Sequence, residues 1–299
     1  MMKINIAGVE FKNPVMTASG TCGLAGFEFE DFYPLSTLGG IICKAVSREA
    51  RTGNPIPRAA ETASGMLNAV GLQNEGIDKF LTILPMLAKK GTNIIANAVG
   101  RTVEDYIYVV ERLNESLVDM IELNISCPNV KEGGVAFGVY PKGVEDIVTR
   151  VKKSCKKPLI IKLSPNVADI RENAKAAEAA GADAISLINT LTGMAINYKT
   201  RRPIIANVTG GLSGPAIKPV ALRMVWQAAS AVKIPVIGLG GISTWQDALE
   251  FLIAGAAAVQ IGTANMVNPM AAKQAIDGLE NYFKENNLTI SDAIGSLIT

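Results

Sequence analysis

The residues of this chain best placed to do chemistry lie at 120–134, around Leu123, Asn124, Ile125, Ser126, Cys127, Pro128 and Asn129. An apolar run with strand character (Met120, Ile121, Leu123, Ile125) stops in a polar cluster, with a thiol at the stop. Pro128 cannot donate to a sheet ladder, so the strand ends near Cys127 and leaves the thiol at a sheet edge or barrel mouth. Free cysteines most often serve as small buried hydrophobes. The amides and hydroxyl flanking Cys127 are unusual company for that role and mark it as a candidate reactive thiol. The chain contains no histidine, so acid-base chemistry falls to Cys, Lys, Asp, Glu or Tyr.

Two lysines stand out for the same reason. Lys44 interrupts the apolar run 39–46, and Lys162 interrupts 158–163. A lysine inside a buried strand is costly unless its ammonium finds an anion or reaches water. Lys44 is therefore a candidate functional cation. Lys162 either supplies positive charge to a bound group or snorkels to the surface.

The elements that position these residues follow from periodicity. Segments 4–9 and 11–15 predict a hairpin around a turn at Gly8. Strands are expected at 15–19, 39–46, 93–99, 120–127, 158–163, 184–189, 235–241 and 258–262, with helices at 76–89, 102–117, 143–155, 167–180, 215–232, 244–254 and 269–284. Thr102 and Asp105 have capping spacing. Eight short, apolar, β-branched strands alternating with helices predict a closed (β/α)₈ TIM barrel with a short N-terminal β-hairpin and loop insertions at the C-terminal mouth. An open doubly wound sheet is the alternative, weakened by the lack of a Gly-x-Gly-x-x-Gly turn after an early strand. No composition shift divides the chain, so a single domain over 1–299 is expected. The segment 47–76, rich in Pro, Gly and Asn, reads as a long loop, either a substrate cover or a solvated connector.

In a barrel, the C-terminal ends of all eight strands meet at one mouth. That rule gathers Ser19, Lys44, Asn97, Asn124 and Cys127 with Lys162, Asn189 and Thr190. Gly240, Gly241, Gly262 and Thr263 close the set. Such a mouth is rich in amides and cations and poor in carboxylates. It suits a planar, anionic, hydrogen-bonding ligand better than a metal or a pair of glycosidase carboxylates, and no metal site is expected. The glycines after the last two strands place backbone N–H groups where barrels commonly hold a phosphate, unless they only serve tight turns.

The bulk properties agree with a small-molecule site. Net charge is +2 without long runs of either sign, which leaves no electrostatic footprint for nucleic acid or an anionic membrane. The first ten residues alternate apolar and polar types, and no apolar stretch reaches transmembrane length. A cytoplasmic protein is expected. Cys22, Cys43, Cys127 and Cys155 form no Cys-x-x-Cys pair and read as free thiols in a reducing compartment; all but Cys127 read as packing residues.

Four phrases carry a resemblance to a known family: Asn-Ile-Ser-Cys-Pro-Asn at 124–129, Ile-Lys-Leu-Ser-Pro-Asn at 161–166, Gly-Gly-Leu-Ser-Gly-Pro-Ala at 210–216 and Gly-Leu-Gly-Gly-Ile at 238–242. Together they resemble the catalytic subunit of dihydroorotate dehydrogenase over essentially the whole chain. Cysteine at 127 resembles the class 1 enzymes, the class 2 branch using serine. The run Val130, Lys131, Glu132, Gly133, Gly134 is similar to the NAD-linked class 1B branch. The resemblance implies FMN in the barrel mouth and oxidation of dihydroorotate to orotate in pyrimidine synthesis.

Carried over residue by residue, it implies that Cys127 is the base at ring carbon 5. It places the pyrimidine against Asn68, Ala69, Val70, Gly71 and Leu72 on one side, and against Asn124, Asn129, Asn189 and Thr190 on the other. Lys44 would lie between substrate and flavin. The FMN contacts it implies are Ser19, Lys44, Ala45, Asn97 and Asn124 from the first half, and Lys162, Ile188 and Gly214 from the second. Gly240, Gly241, Gly262 and Thr263 complete them. It further implies a homodimer core within a heterotetramer, the second subunit carrying FAD and a [2Fe–2S] cluster that reacts with NAD.

Three other readings stay open at this level. One is a dihydropyrimidine dehydrogenase-like flavin subunit, which shares the cysteine. Another is the fumarate-linked class 1A branch of the same family. The last is a non-catalytic phosphate-binding barrel.

Overall fold

The computed structural model describes residues 2–126 and 137–298. Strands β1 (Ile4–Ile6) and β2 (Val9–Phe11) form an antiparallel hairpin turned by Ala7 and Gly8. Its fully buried Phe11 lies beside Gly40, where a Cβ would sit 3.2 Å from the ring. The first barrel strands are β3 (Val15–Thr17) and β4 (Gly40–Ile42). Strands β5 (Ala59–Thr62) and β6 (Gly65–Asn68) form a second hairpin outside the barrel. The barrel continues through β7 (Asn93–Ala98), β8 (Met120–Asn124), β9 (Leu159–Lys162) and β10 (Ala184–Leu187). After an excursion of β11 (Leu191–Met194), β12 (Ile196–Asn197), β13 (Arg202–Pro203) and β14 (Thr209–Ser213), it closes with β15 (Val236–Leu239) and β16 (Ala258–Ile261).

The eight barrel strands are parallel and close in the order β10-β15-β16-β3-β4-β7-β8-β9. This is the TIM barrel expected from the sequence, with its N-terminal hairpin. Its strands read as continuous apolar runs because both faces are covered, by the packed interior and by the helices outside. Five helices form most of that outer ring: α1 (Ile77–Ala88), α2 (Val103–Asn114), α3 (Pro141–Ser154), α4 (Ile170–Ala179) and α5 (Lys218–Ala229). They are followed by α6 (Trp245–Ile253), α7 (Thr263–Val267), α8 (Ala271–Glu285) and α9 (Ile290–Ala293). The Thr102 cap acts as the sequence suggests, its Oγ1 accepting from the Asp105 N–H at 3.2 Å, and Thr244 with Asp247 forms a full capping box at α6. Among the described residues no helix is long and apolar enough to cross a membrane.

The segment 47–76 departs from the loop expected. Its hairpin β5–β6 joins β14 and β11 in a four-stranded antiparallel sheet, Gly211 pairing with Asn68 and Leu212 with Leu67. Leu67, Ala69 and Ile205 form a small buried cluster beneath this sheet. Two segments distant in sequence thus fold into one wall beside the mouth.

Candidate functional site

A cavity of about 260 Å³ opens at the C-terminal ends of the barrel strands, walled on one side by the β5-β6-β14-β11 sheet. The loops after β3 and β4 contribute Ser19, Lys44 and Ala45, and the end of β6 with the loop after it contributes Asn68, Val70, Gly71 and Leu72. Asn124, Lys162, Ile188, Asn189 and Thr190 line its centre. Gly214, Gly240, Gly241, Gly262 and Thr263 line the far end. Ala69 is not on the wall; it is fully buried in the apolar cluster behind it. Asn97 sits below the cavity floor, fully buried. Cys127 and Asn129 lie outside the described residues.

The floor is a connected set of polar side chains. Glu122, wholly buried in β8, accepts from Asn97 Nδ2 at 2.6 Å through Oε1. Its Oε2 accepts from Ser186 Oγ and from Gln260 Nε2, each at 2.8 Å. Lys162 Nζ lies 3.6 Å from Glu122 Oε1. Lys162 is therefore a buried lysine held by an anion, not one that snorkels to the surface. Above this level, Asn124 Nδ2 donates to Asn97 Oδ1 at 3.5 Å, Ser126 Oγ donates to Asn124 Oδ1 at 2.8 Å, and Asn189 Nδ2 donates to Ser126 Oγ at 2.6 Å.

Glu122 is the functional side chain that the strand pattern concealed, since the apolar positions around it define the strand. The signal that singled out Lys44 and Lys162 was present there too: one charge inside a run whose burial is otherwise complete.

Lys44 lies two residues beyond the end of β4, half-buried at the cavity edge, so it is not an interior strand lysine. Burial pushes its ammonium below the ordinary lysine value; Cys22 opposes that shift and Arg58 adds to it. The loop opposite is pinned by Asn74, whose Nδ2 donates to the Leu72 carbonyl at 2.8 Å and whose Oδ1 accepts from the Gly76 N–H at 2.8 Å. Leu72 itself has φ 57°, an uncommon conformation for a branched residue. Such conformations persist where the surroundings over-determine them, often beside a ligand.

At the far end, Gly240 and Gly241 have φ 127° and 77°. A Cβ on Gly241 would meet the Lys218 backbone nitrogen at 2.8 Å and the Gly214 carbonyl oxygen at 2.9 Å. Only glycine fits this turn, and it leaves backbone flush with the cavity. Beside it, Thr263 Oγ1 donates to Ser213 Oγ at 2.8 Å, a contact between two mouth loops. Ser213, Met66 and Thr21 line the cavity too, although the sequence patterns did not single them out.

Cys22 and Cys43 are buried and do not line the cavity, and burial raises both thiols, Cys22 to about 12. They pack, as expected. Among the described residues no group of His, Cys, Asp and Glu side chains could hold a metal ion.

The family model described as "Dihydroorotate dehydrogenase" matches residues 1–283. Among the most similar relatives is a protein of Alkaliphilus metalliredigens, 56% identical over 298 residues, covering 99% of this chain and 98% of that one. Relatives from Bacteroides fragilis and Geotalea uraniireducens are each 55% identical, covering 99% and 100% of this chain and 98% of theirs. All three are named "Dihydroorotate dehydrogenase B (NAD(+)), catalytic subunit". With the family model spanning the barrel and relatives matched from end to end, this chain belongs to the dihydroorotate dehydrogenase family.

Proposed function

We propose that this chain is the catalytic subunit of an FMN-dependent dihydroorotate dehydrogenase that oxidises (S)-dihydroorotate to orotate in pyrimidine biosynthesis, its electrons passing through a partner subunit to NAD. The observation that carries the reading is the mouth itself. Amide donors and the Lys44 cation face a cavity floored by Lys162 and closed by a turn that only glycine fits. The residues present fit FMN. Gly240, Gly241, Gly262 and Thr263, with Gly214, would hold its phosphate, while Lys162, Asn97, Ser19, Ala45 and Ile188 would lie toward its ring system. When bound, FMN supplies a hydride acceptor.

The chain's own residues do the rest. Asn124 and Asn189 present Nδ2 donors to the carbonyl oxygens of a pyrimidine ring, with Asn68, Asn129 and Thr190 around its edge. Lys44 offers a cation to the substrate carboxylate. The Gly71-Leu72 turn, held by Asn74, covers the ring and limits water. Cys127 takes the proton from ring carbon 5 while the hydride departs from carbon 6, leaving the carbon–carbon double bond of orotate. A thiol of ordinary pKa near about 8.5 is mostly protonated at neutral pH, so the base form grows toward mildly alkaline pH.

Reduced flavin must pass its electrons on, and relatives matched from end to end are named catalytic subunits of an NAD(+)-linked enzyme. That supports an electron-transfer partner carrying FAD and a [2Fe–2S] cluster, docked at the mouth of a homodimer of this chain. Exposed Met266 and Val267 give the rim beside the cavity an apolar edge for it.

The test compares substrates. With an artificial electron acceptor, the flavin-loaded chain should oxidise dihydroorotate far faster than 5,6-dihydrouracil, which lacks the carboxylate. Preference for dihydrouracil would favour the dihydropyrimidine dehydrogenase-like reading. Efficient NAD reduction by the chain alone would remove the need for the partner.

A further inference from the structure

We propose that Glu122 is the positioning residue that fixes the donor polarity of the ligand-facing amides. The carboxylate is wholly buried, and its hydrogen-bond partners, Asn97 Nδ2, Ser186 Oγ and Gln260 Nε2, all donate to it. An ionised carboxylate only accepts. Asn97 must therefore turn its NH₂ group down toward Glu122 and its Oδ1 up. Asn124, donating to that Oδ1, must in turn direct its own Oδ1 toward Ser126. That oxygen accepts from both the Ser126 N–H at 3.3 Å and the Ser126 hydroxyl at 2.8 Å. The hydroxyl, having given its proton to Asn124, is free to accept from Asn189 Nδ2. Asn189 Oδ1 is then engaged by the Thr190 N–H at 2.7 Å.

Every link runs in one direction, from Asn189 to Glu122. At the cavity end, both asparagines have their carbonyl oxygens engaged and one NH₂ hydrogen to spare. The site therefore reads a ligand by its acceptors, and the residue that decides this never touches the ligand. Lys162, 3.6 Å from the same carboxylate, balances its charge. A glutamine at 122 has nearly the same shape but offers a donor where the chain begins on an acceptor, so either amide orientation becomes possible along its length.

The inference rests on the proposed function only for the choice of probe, orotate. Heteronuclear NMR of isotopically labelled, flavin-loaded protein reads the side-chain amide signals of Asn97, Asn124 and Asn189 in wild type and Glu122→Gln. Flavin absorbance titrations then give the affinity for orotate. The expected result is that all three amide signals move in Glu122→Gln and that orotate binds about tenfold more weakly, the loss of about one well-formed hydrogen bond. Movement of the Asn97 signal alone, or unchanged orotate affinity with flavin retained, would overturn the proposal. Ser126→Ala, which cuts the chain between the two asparagines without touching the barrel floor, serves if Glu122→Gln does not fold. There the Asn124 and Asn189 signals must both move and orotate must weaken; no change in either would overturn the proposal. Wild type that fails to bind orotate would contradict the proposed substrate, while the amide signals would still decide the role of Glu122.

Discussion

Lys162 and Glu122 face each other inside the barrel at 3.6 Å, on adjacent strands and almost wholly out of solvent. A buried pair of this kind costs desolvation to form, and losing one partner leaves the other uncompensated. Glu122→Ala strips the anion from Lys162 and the acceptor from three donors. It is expected to lower stability by about 3–5 kcal/mol in equilibrium urea unfolding. Glu122→Gln, which keeps one acceptor, should lose clearly less. Equal losses would show that the retained acceptor contributes nothing and that the missing charge alone accounts for the loss.

Lys44 gives a pH dependence whose sign follows from its burial. Its ammonium is held below the ordinary lysine value, so in the ligand-free protein the cation disappears earlier on the alkaline side than a free lysine would. Orotate affinity is expected to fall as pH rises through that lowered value. Lys44→Met should bind orotate weakly at all pH values and lack this alkaline limb. An unchanged limb in the variant would assign it to another group.

Asn74 ties Ser47, Leu72 and Gly76 together at one buried amide. Asn74→Ala should free the Gly71-Leu72 turn and raise KM for dihydroorotate. Its cost in stability is expected to be about 1–3 kcal/mol, the usual penalty for leaving buried polar groups unpaired. Steady-state kinetics with unfolding measurements would check both, and unchanged KM would detach the turn from substrate binding.

Burial raises the thiols of Cys22 and Cys43, Cys22 to about 12, so neither supplies thiolate near neutral pH. Alkylation of the folded protein at about pH 8 should spare both and reach them only after unfolding. Labelling of Cys22 in the native protein at the rate seen in urea would mean that the β3–β4 side of the barrel opens readily.

The barrel was legible in the sequence because its strands, buried on both faces, are short, mostly apolar runs, each followed by polar or glycine-rich residues at the mouth. Helix starts were legible where a side chain caps them, as at Thr102 and Thr244. The wall beside the mouth was not. Its strands are short, half-polar and rich in Gly and Thr, and they owe their pairing to partners such as Asn68 and Gly211 that only the closed barrel brings together. Lys44 was found by its charge but misplaced by two residues, because the apolar run continues past the end of β4. Glu122 was passed over because strand periodicity weighs the apolar neighbours, whereas its role depends on donors from three other strands.

The most direct measurement of the central claim is anaerobic stopped-flow absorbance of the flavin-loaded chain mixed with dihydroorotate. Wild type is expected to bleach its flavin band rapidly. Cys127→Ser should keep its flavin and its fold yet lose most of the reduction rate at neutral pH, since a serine hydroxyl is a far weaker base than a thiolate. A wild-type flavin that stays oxidised would contradict dihydroorotate as the substrate, and a Cys127→Ser variant that bleaches at the wild-type rate would contradict Cys127 as the base.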